Sequence, residues 1–480
     1  ITGYRENDLQ LTEDLDASPY RYLEVASDAT ARSVSQELRF QYADERLEGI
    51  VGLFFTDARS RNQFSVDAAA EFIAAAGGSQ PAITERGSDT SSLAVFSQWE
   101  WSLTDRLALT LGGRWSDSEK TSFRRELLFS DLALSAATAG VERCFVLGPG
   151  VGPEDQPDCL TTLRIPGQDD VLLPPTVAEA SGEGSWSQFS PKLVVHIELR
   201  EGVMAYASYS QGYRDGGLEG VAANFREFDK EILHAYEVGV KSDLASGRLR
   251  ANGTVFFYDY DDIQLELSQL RNNVVTQSVF NASEARVKGA ELETNWRASE
   301  SLQLSLNLGW LETEITEFDR NDPSIDPGFV QAGNEFARAP EWTASFVPVF
   351  NFPLGNGSVT WRSEVNYKSE FFRDVENGAF ADEADALVLT GANFFDGLPP
   401  EEAVVAPGTL VYSERTDSRL VVNSAFSYLS ADDRFELALW ARNLFDEEYM
   451  TDADFVNGLG YTKVLYAAPR TYGVQVSFRY

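Results

Sequence analysis

Apolar residues recur at every second position along most of this chain. In LQLSLNLGWLETE, Leu302, Leu304, Leu306, Leu308 and Trp310 take one face, and Gln303, Ser305, Asn307 and Gly309 take the other. In GRLRANGTVFFYDYDD, Leu249, Ala251, Gly253, Val255 and Phe257 oppose Arg248, Arg250, Asn252, Thr254 and Phe256. Leu107, Leu109 and Leu111 oppose Thr110, Gly112 and Arg114, and Leu437, Leu439 and Ala441 oppose Glu436, Trp440 and Arg442. At the C-terminal end, Tyr472, Val474, Val476, Phe478 and Tyr480 alternate with Thr471, Gly473, Gln475, Ser477 and Arg479. A period of two is that of a strand with one apolar face. Such segments predict about sixteen antiparallel strands, many reaching the roughly 9 to 11 residues that cross a bilayer at a tilt.

The connections sort by length. SLTDR, ELREG, DLASGR, RASES, PLGNG and LSADDR are tight turns rich in Gly, Ser, Asn and Asp. Between them fall long connections at residues 60 to 90, 129 to 185, 215 to 231, 319 to 340 and 375 to 418, with a crossing at SQLRNN as a short exception. A soluble sandwich has no reason to alternate short and long loops. An outer-membrane β-barrel has one, because short turns face the periplasm and long loops face outwards.

The two faces agree with that placement. A lysine or arginine at the midplane of the lipid face costs about 2 to 4 kcal/mol, and the alternation sends Arg114, Glu237, Arg250, Glu291, Glu293, Arg362, Glu364 and Arg442 to the opposite side, into a wet lumen. Trp115, Tyr209, Tyr213, Trp296 and Trp310 fall near the ends of apolar runs, where aromatic girdles lie.

Composition narrows the partners. With 480 residues, 43% hydrophobic and 24% charged, the chain is too apolar to be disordered. No window approaches the roughly 18 apolar residues of a transmembrane helix, so any membrane crossing is made by strands. The net charge of -36 argues against nucleic acid, whose phosphates need a basic surface. Cys144 and Cys159 share one Gly- and Pro-rich stretch with no zinc-ligand set nearby, which makes a loop-closing disulfide the expectation. His196 and His234 stand in strand-like runs as packed or lumen-facing imidazoles. Asp259, Asp261 and Asp262 lack the spacing and glycine of a calcium loop. The 129 to 185 connection carries nine acidic and two basic residues, which suits weak divalent-cation binding. GxSxG, HExxH and phosphate-cradling glycine loops are absent, so neither an enzyme nor a cofactor is expected.

Several stretches resemble the TonB-dependent outer-membrane receptors. LWARNLFDEEYM followed by APRTYGVQVSFRY is similar to that family's ending, through Asn443, Leu444, Phe445, Asp446, Tyr449, Pro469 and Arg470. FSPKLVVHIELREGVMAYASYSQGYRDGGL, AYEVGVKSDLASGRLRANGTVFFYDYDDIQ, NASEARVKGAELE and SQELRF resemble further strands of the group, so that the likeness covers nearly all of residues 1 to 480. It implies a transmembrane wall in the outer membrane of a Gram-negative bacterium, with about sixteen strands of a twenty-two-stranded barrel whose lumen holds a plug. The plug, which a TonB-type energy-transducing protein pulls, is not in this sequence, and ITGYR looks like the tail of an ascending strand. The resemblance therefore implies a fragment, a processed product or one partner of a split receptor, with some six strands supplied elsewhere unless the remaining ones close into a narrower barrel. Tyr472, Val474, Val476, Phe478 and Tyr480 resemble the signal read by the barrel-assembly machinery.

Ligand in this family is held between plug, lumen wall and outer loops. The candidates here are Ser208, Ser210 and Arg214 on one face, and Tyr258, Tyr260 and Asp262 on another strand, because Arg grips anionic oxygens and Tyr stacks or donates a hydrogen bond. Arg250, Glu237, Glu291, Glu293 and Arg442 are candidates for a charged network lower in the lumen. The leading reading is an importer of a scarce, bulky small molecule, with ferric siderophore first. The alternatives are a passive porin, and a surface scaffold or receptor whose acidic loops bind a protein.

Overall fold

The computed structural model describes residues 1–14, 23–68, 81–128, 162–163, 171–172, 176–221, 224–271, 274–282, 284–318, 330–373, 375, 415–456 and 461–479. Sixteen strands form one antiparallel sheet in which each strand pairs with its neighbours in sequence. They are β1 (Thr2–Asp14), β2 (Leu23–Ala43), β3 (Leu47–Ala68), β4 (Pro81–Thr104), β5 (Leu107–Leu128), β6 (Thr176–Arg200), β7 (Val203–Arg214) and β8 (Glu231–Leu244). After them come β9 (Leu249–Asp261), β10 (Glu284–Arg297), β11 (Leu302–Glu317), β12 (Trp342–Leu354), β13 (Gly357–Lys368), β14 (Arg419–Leu429), β15 (Phe435–Arg442) and β16 (Thr471–Phe478). The expected strand number is the observed one, and among the described residues no helix is long and apolar enough to cross a membrane.

Register carries one apolar face continuously across the wall. Leu53, Val95, Trp115, Phe189 and Tyr209 face outwards along β3 to β7, and Tyr236, Phe257, Lys288, Glu312 and Trp342 extend the upper rim of that face along β8 to β12. The large apolar side chains of this face are exposed rather than packed against a second layer. Leaving such a band in water is unfavourable by about 25 cal/mol per Å², so hydrocarbon is the solvent it fits. Above the band the outward face turns charged, with ion pairs Lys288–Glu312 at 2.9 Å, Arg286–Asp259 at 3.1 Å and Arg61–Asp89 at 2.7 Å.

Three expectations change. The connection placed at residues 60 to 90 is largely strand: β3 runs to Ala68 and β4 starts at Pro81, while β6 already begins at Thr176. At about 3.3 Å per residue, strands of 21 to 25 residues rise well past a bilayer. Their upper parts alternate Ser, Thr, Asp and Arg, because only lipid demands an apolar stripe. The SQLRNN crossing lies at the tip of a hairpin (Gln264–Arg271 with Val274–Asn281) outside the wall, so short and long connections alternate without exception. The opening strand is longer than its first four or five residues: β1 runs over 13 residues, Thr2 to Asp14, and pairs with Glu24 to Gln36 of β2.

β1 and β16 are the two edges, each bonded to one neighbour, and among the described residues nothing joins them. A narrower closed barrel is therefore not what these strands form. Two bare edges have no place in hydrocarbon.

The NLFD stretch makes a clasp between β15 and β16. Asn443, buried and at φ 49, donates from Nδ2 to the Glu447 carbonyl at 2.9 Å and accepts the Glu447 N–H on Oδ1 at 2.8 Å. Asp446 Oδ1 accepts the Arg470 N–H at 2.7 Å. These family-like residues also tie the connection to β14, where the Asn443 N–H donates to Asn423 Oδ1 at 3.0 Å. Asn443→Ala strips partners from buried backbone groups and forces a β-carbon without a side-chain hydrogen bond into left-handed φ. It is expected to lower stability by about 1 to 3 kcal/mol, read as a lower denaturant midpoint of the folded protein in lipid vesicles.

Candidate ligand site on the lumen face

Parity places the polar face inside. Ser208, Ser210 and Arg214 on β7, Glu237 on β8, Arg250, Tyr258 and Tyr260 on β9, Glu291 and Glu293 on β10 and Arg442 on β15 all lie on the face opposite the apolar band. The structure then separates them into three neighbourhoods.

The first is a cavity of about 460 Å³ at the height of the upper aromatic girdle, which Tyr236 and Phe257 mark on the outside. Tyr206, Phe256, Tyr258 and Tyr260 line it, together with Glu237, Glu291 and Thr313. Two glycines shape this wall. A β-carbon at Gly289 would overlap the Phe256 ring, and one at Gly239 would meet Tyr206, so both rings rest directly on the sheet. Phe256 stacks on Tyr258 with centroids 4.8 Å apart, and the Tyr258 hydroxyl donates to Glu237 Oε1 at 2.9 Å. Tyr206 Oη is 3.1 Å from Thr254 Oγ1.

An outer connection roofs the cavity. The segment between β11 and β12 folds back so that Phe336, Ala337 and Ala339 join the lining. Its path is fixed by hydrogen bonds from Ile315 N–H to the Asn334 carbonyl and from Gly333 N–H to the Ile315 carbonyl, both 2.8 Å, and from Phe336 N–H to Thr313 Oγ1 at 2.9 Å. Behind the roof sits a small apolar core of Ile263, Leu265, Phe280, Ala282, Ala285, Ile315 and Val330, against which Tyr260, Phe318 and Phe336 pack. Tyr260 meets Phe336 edge to face at 6.1 Å.

The second neighbourhood lies higher, above the apolar band. Lys120 on β5 donates from Nζ to the Gly216 carbonyl at 3.1 Å and sits 5.6 Å over the Trp186 ring. Burial, with Arg214 nearby, pulls its ammonium below the usual lysine range, against the opposing effect of Asp215. Gln264 ties this rim together by donating from Nε2 to the Asp215 carbonyl at 2.9 Å and to the Asp229 carbonyl at 3.0 Å. Ser208, Ser210 and Arg214 do not line the aromatic cavity.

Arg250, beside the short turn between β8 and β9, binds Asp243 at 3.0 Å, and Arg442, at the end of β15 that leads into the long outer connection, lies 5.5 Å over the Trp440 ring. Among the described residues the five charges grouped as a network do not connect: Glu237 serves Tyr258, Glu291 lines the cavity and Glu293 lies outside it. Arg250 sits at the turn end of β9, below Glu237 and Glu291, which share the cavity.

Asp262 departs from expectation too. It follows β9 in a turn at φ 54, where its carbonyl accepts from Asn281 Nδ2 at 2.8 Å, and it does not face the cavity. Burial, then Asp229 and Asp261, push its carboxyl above the usual range. His196 faces the lumen 3.9 Å from Glu100, while His234 points outwards to Tyr209 at 3.0 Å and Asp261 at 3.2 Å. Among the described residues no cluster of three metal-ligating side chains occurs. Cys144, Cys159, Tyr480 and most of the 129 to 185 and 375 to 418 connections lie outside the described residues. Tyr472, Val474, Val476 and Phe478 all face outwards and are exposed.

Lys120, Tyr206, Phe256 and Phe336 were missed in the sequence. The first three were open to parity, since Tyr206 shares a face with Ser208 and Phe256 with Tyr258. Phe336 gives no signal, because its position depends on the fold of a connection.

Comparison with known proteins gives the same architecture. The ferric yersiniabactin uptake receptor FyuA of Yersinia pestis superposes with a TM-score of 0.68 at 17% identity, over 99% of this chain and 58% of that one. The siderophore receptor PiuA of Acinetobacter baumannii gives 0.63 at 14% identity, over 100% and 61%. In sequence, the metal-pseudopaline receptor CntO of Pseudomonas aeruginosa is 25% identical over 210 residues, 42% of this chain and 26% of its own length. The pesticin receptor of Yersinia pestis is 24% identical over 280 residues, 58% of this chain and 34% of its own. The chain thus spans about a quarter to a third of these curated relatives. The model of the TonB dependent receptor-like β-barrel matches residues 2–444. With that match over most of its length, and a sheet whose outward face fits the outer membrane, the chain belongs to the TonB-dependent receptor β-barrel family.

Proposed function

We propose that this chain is the outer wall of a receptor that takes up a scarce metal chelate, a ferric siderophore first among them, through the outer membrane. The observation that carries the reading is the roofed aromatic cavity on the lumen face, at the height where a solute descending between the outer loops meets the wall. A concave site of this size, lined by rings and a few polar groups, suits an organic ligand. The receptors it resembles are described as ferric yersiniabactin, siderophore and metal-pseudopaline receptors. The proposal includes the partners the family implies: a plug, the strands that complete the wall, a TonB-type protein that moves the plug, and assembly machinery that engages the outward residues of β16.

The test uses the complete receptor in outer membranes of an iron-limited host. Uptake of iron-55 supplied as hydroxamate, catecholate and phenolate chelates is compared with a receptor-free strain. At least one chelate is expected to accumulate only with the receptor and only while the TonB system is energised. Phe336→Ala is expected to lower that uptake several-fold, while the heat-modifiable folded band is unchanged. Steady large conductance in planar bilayers, with no chelate accumulated, overturns the reading in favour of a passive channel.

A further inference from the structure

We infer that the aromatic cavity receives a cationic group of the ligand, an ammonium or substituted ammonium. This deepens the uptake reading and rests on it for the cavity being a ligand site. Among the described residues its lining holds two carboxylates, Glu237 and Glu291, and no basic side chain. The wall residues Tyr206, Phe256 and Tyr258, with Phe336 in the roof, surround the same space. Rings present a negative face, to which a cation within about 6 Å is attracted, and the attraction strengthens as water is excluded. The glycines beneath Phe256 and Tyr206 matter here, because they lay those rings against the sheet instead of letting them project as edges.

The protein already makes this contact at the cavity's margin: Lys241 Nζ lies 5.5 Å over the Tyr206 ring. Lys241 is not part of the lining, so it leaves the interior to an incoming cation. The Tyr258 hydroxyl on β9 donates to Glu237 Oε1 on β8 and fixes one carboxylate at the wall, and Glu291 stands on β10, at the other side of β9. Carboxylates in a concave site with low-dielectric walls concentrate their field on its interior. An anionic arm entering here meets two like charges and no lining cation among the described residues to neutralise it. The anionic part of a ligand finds its cations higher, at Lys120 and Arg214. The two neighbourhoods therefore sort a ligand carrying both charges, amine downwards and metal-bearing oxygens upwards.

The experiment titrates the complete receptor in detergent with choline and with 3,3-dimethylbutan-1-ol, its uncharged carbon isostere, by saturation-transfer NMR and calorimetry. Choline is expected to bind about tenfold tighter. The preference is expected to vanish in Glu291→Gln and to shrink in Glu237→Gln, and to persist in Glu293→Gln, a lumen carboxylate outside the cavity. Equal affinity for the two probes, binding of neither, or a preference that survives both cavity variants overturns the inference. Chelate uptake measured with the same variants keeps the two readings apart: uptake without a preference for the cation removes only this inference, and absence of uptake of every chelate removes the parent reading.

Discussion

Leu292→Arg destabilises the folded protein in lipid vesicles by about 2 to 4 kcal/mol, and Glu293→Arg, one residue away, by less than about 0.5 kcal/mol. Leu292 sits midway along the outward face of β10, between Trp296 at the lower margin and Lys288 where the charges begin, with Gly253 and Leu308 beside it. A guanidinium there stands at bilayer depth. Snorkelling to either margin means crossing about two outward positions, and thinning the bilayer costs free energy as well. Glu293 points to the opposite face, where a charge is already present and hydrated, so reversing it exchanges one wet ion for another. Guanidinium unfolding in vesicles, followed by tryptophan fluorescence and checked by heat-modifiable migration, measures both. Two variants of equal stability take hydrocarbon away from the outward face, and the membrane placement of the sheet goes with it.

That contrast between adjacent residues also explains what the sequence could reveal. Where lipid touches one face, physics enforces an unbroken stripe such as Leu302 to Trp310, and strand, face and direction are all legible. Above the bilayer the ladder continues on backbone hydrogen bonds with ion pairs such as Arg61–Asp89, and the outward positions of β3 become Asp57, Arg59, Arg61 and Gln63. Nothing in such a stretch separates strand from loop, which is why residues 60 to 90 read as a connection. The hairpin at Gln264–Asn281 misleads in the opposite sense. Ile263, Leu265 and Phe280 are apolar enough to pass for wall, yet they are buried in a small core of the outer connections and meet no lipid.

The site divides along the same line. Tyr258, Tyr260, Glu237 and Glu291 were legible because strand parity alone sends them inwards. Which of them share a cavity was not, since that depends on register between β8, β9 and β10 and on tilt. Arg250 was grouped with the glutamates and instead binds Asp243, its own cross-strand partner in the β8 and β9 ladder. The roof was out of reach altogether. Phe336 owes its place to two bonds at Ile315 and one at Thr313, which tie an outer connection to the upper end of β11.

This tie is also the most vulnerable part of the site, and Ile315→Asp is expected to abolish chelate uptake while leaving the wall assembled. Ile315 is 0% exposed and lies at the centre of the apolar core behind the roof. Removing its side chain alone, as in Ile315→Ala, costs about 2 to 5 kcal/mol. A carboxylate adds the desolvation of an ion with no partner among Ile263, Phe280, Ala285 and Val330, so that the core opens rather than bury it. Opening releases Phe336 and the packed edge of Tyr260, and the cavity loses its roof. The β11 ladder below is held by β10 and β12 through backbone bonds that Ile315 does not make with its side chain. The heat-modifiable band and the amount of receptor in the membrane are therefore expected to match the unaltered protein, while iron-55 uptake falls to the receptor-free level and Ile315→Val stays within about twofold. If uptake survives Ile315→Asp with the roof shown to be open by protease accessibility, then the roofed cavity is not where the ligand is held.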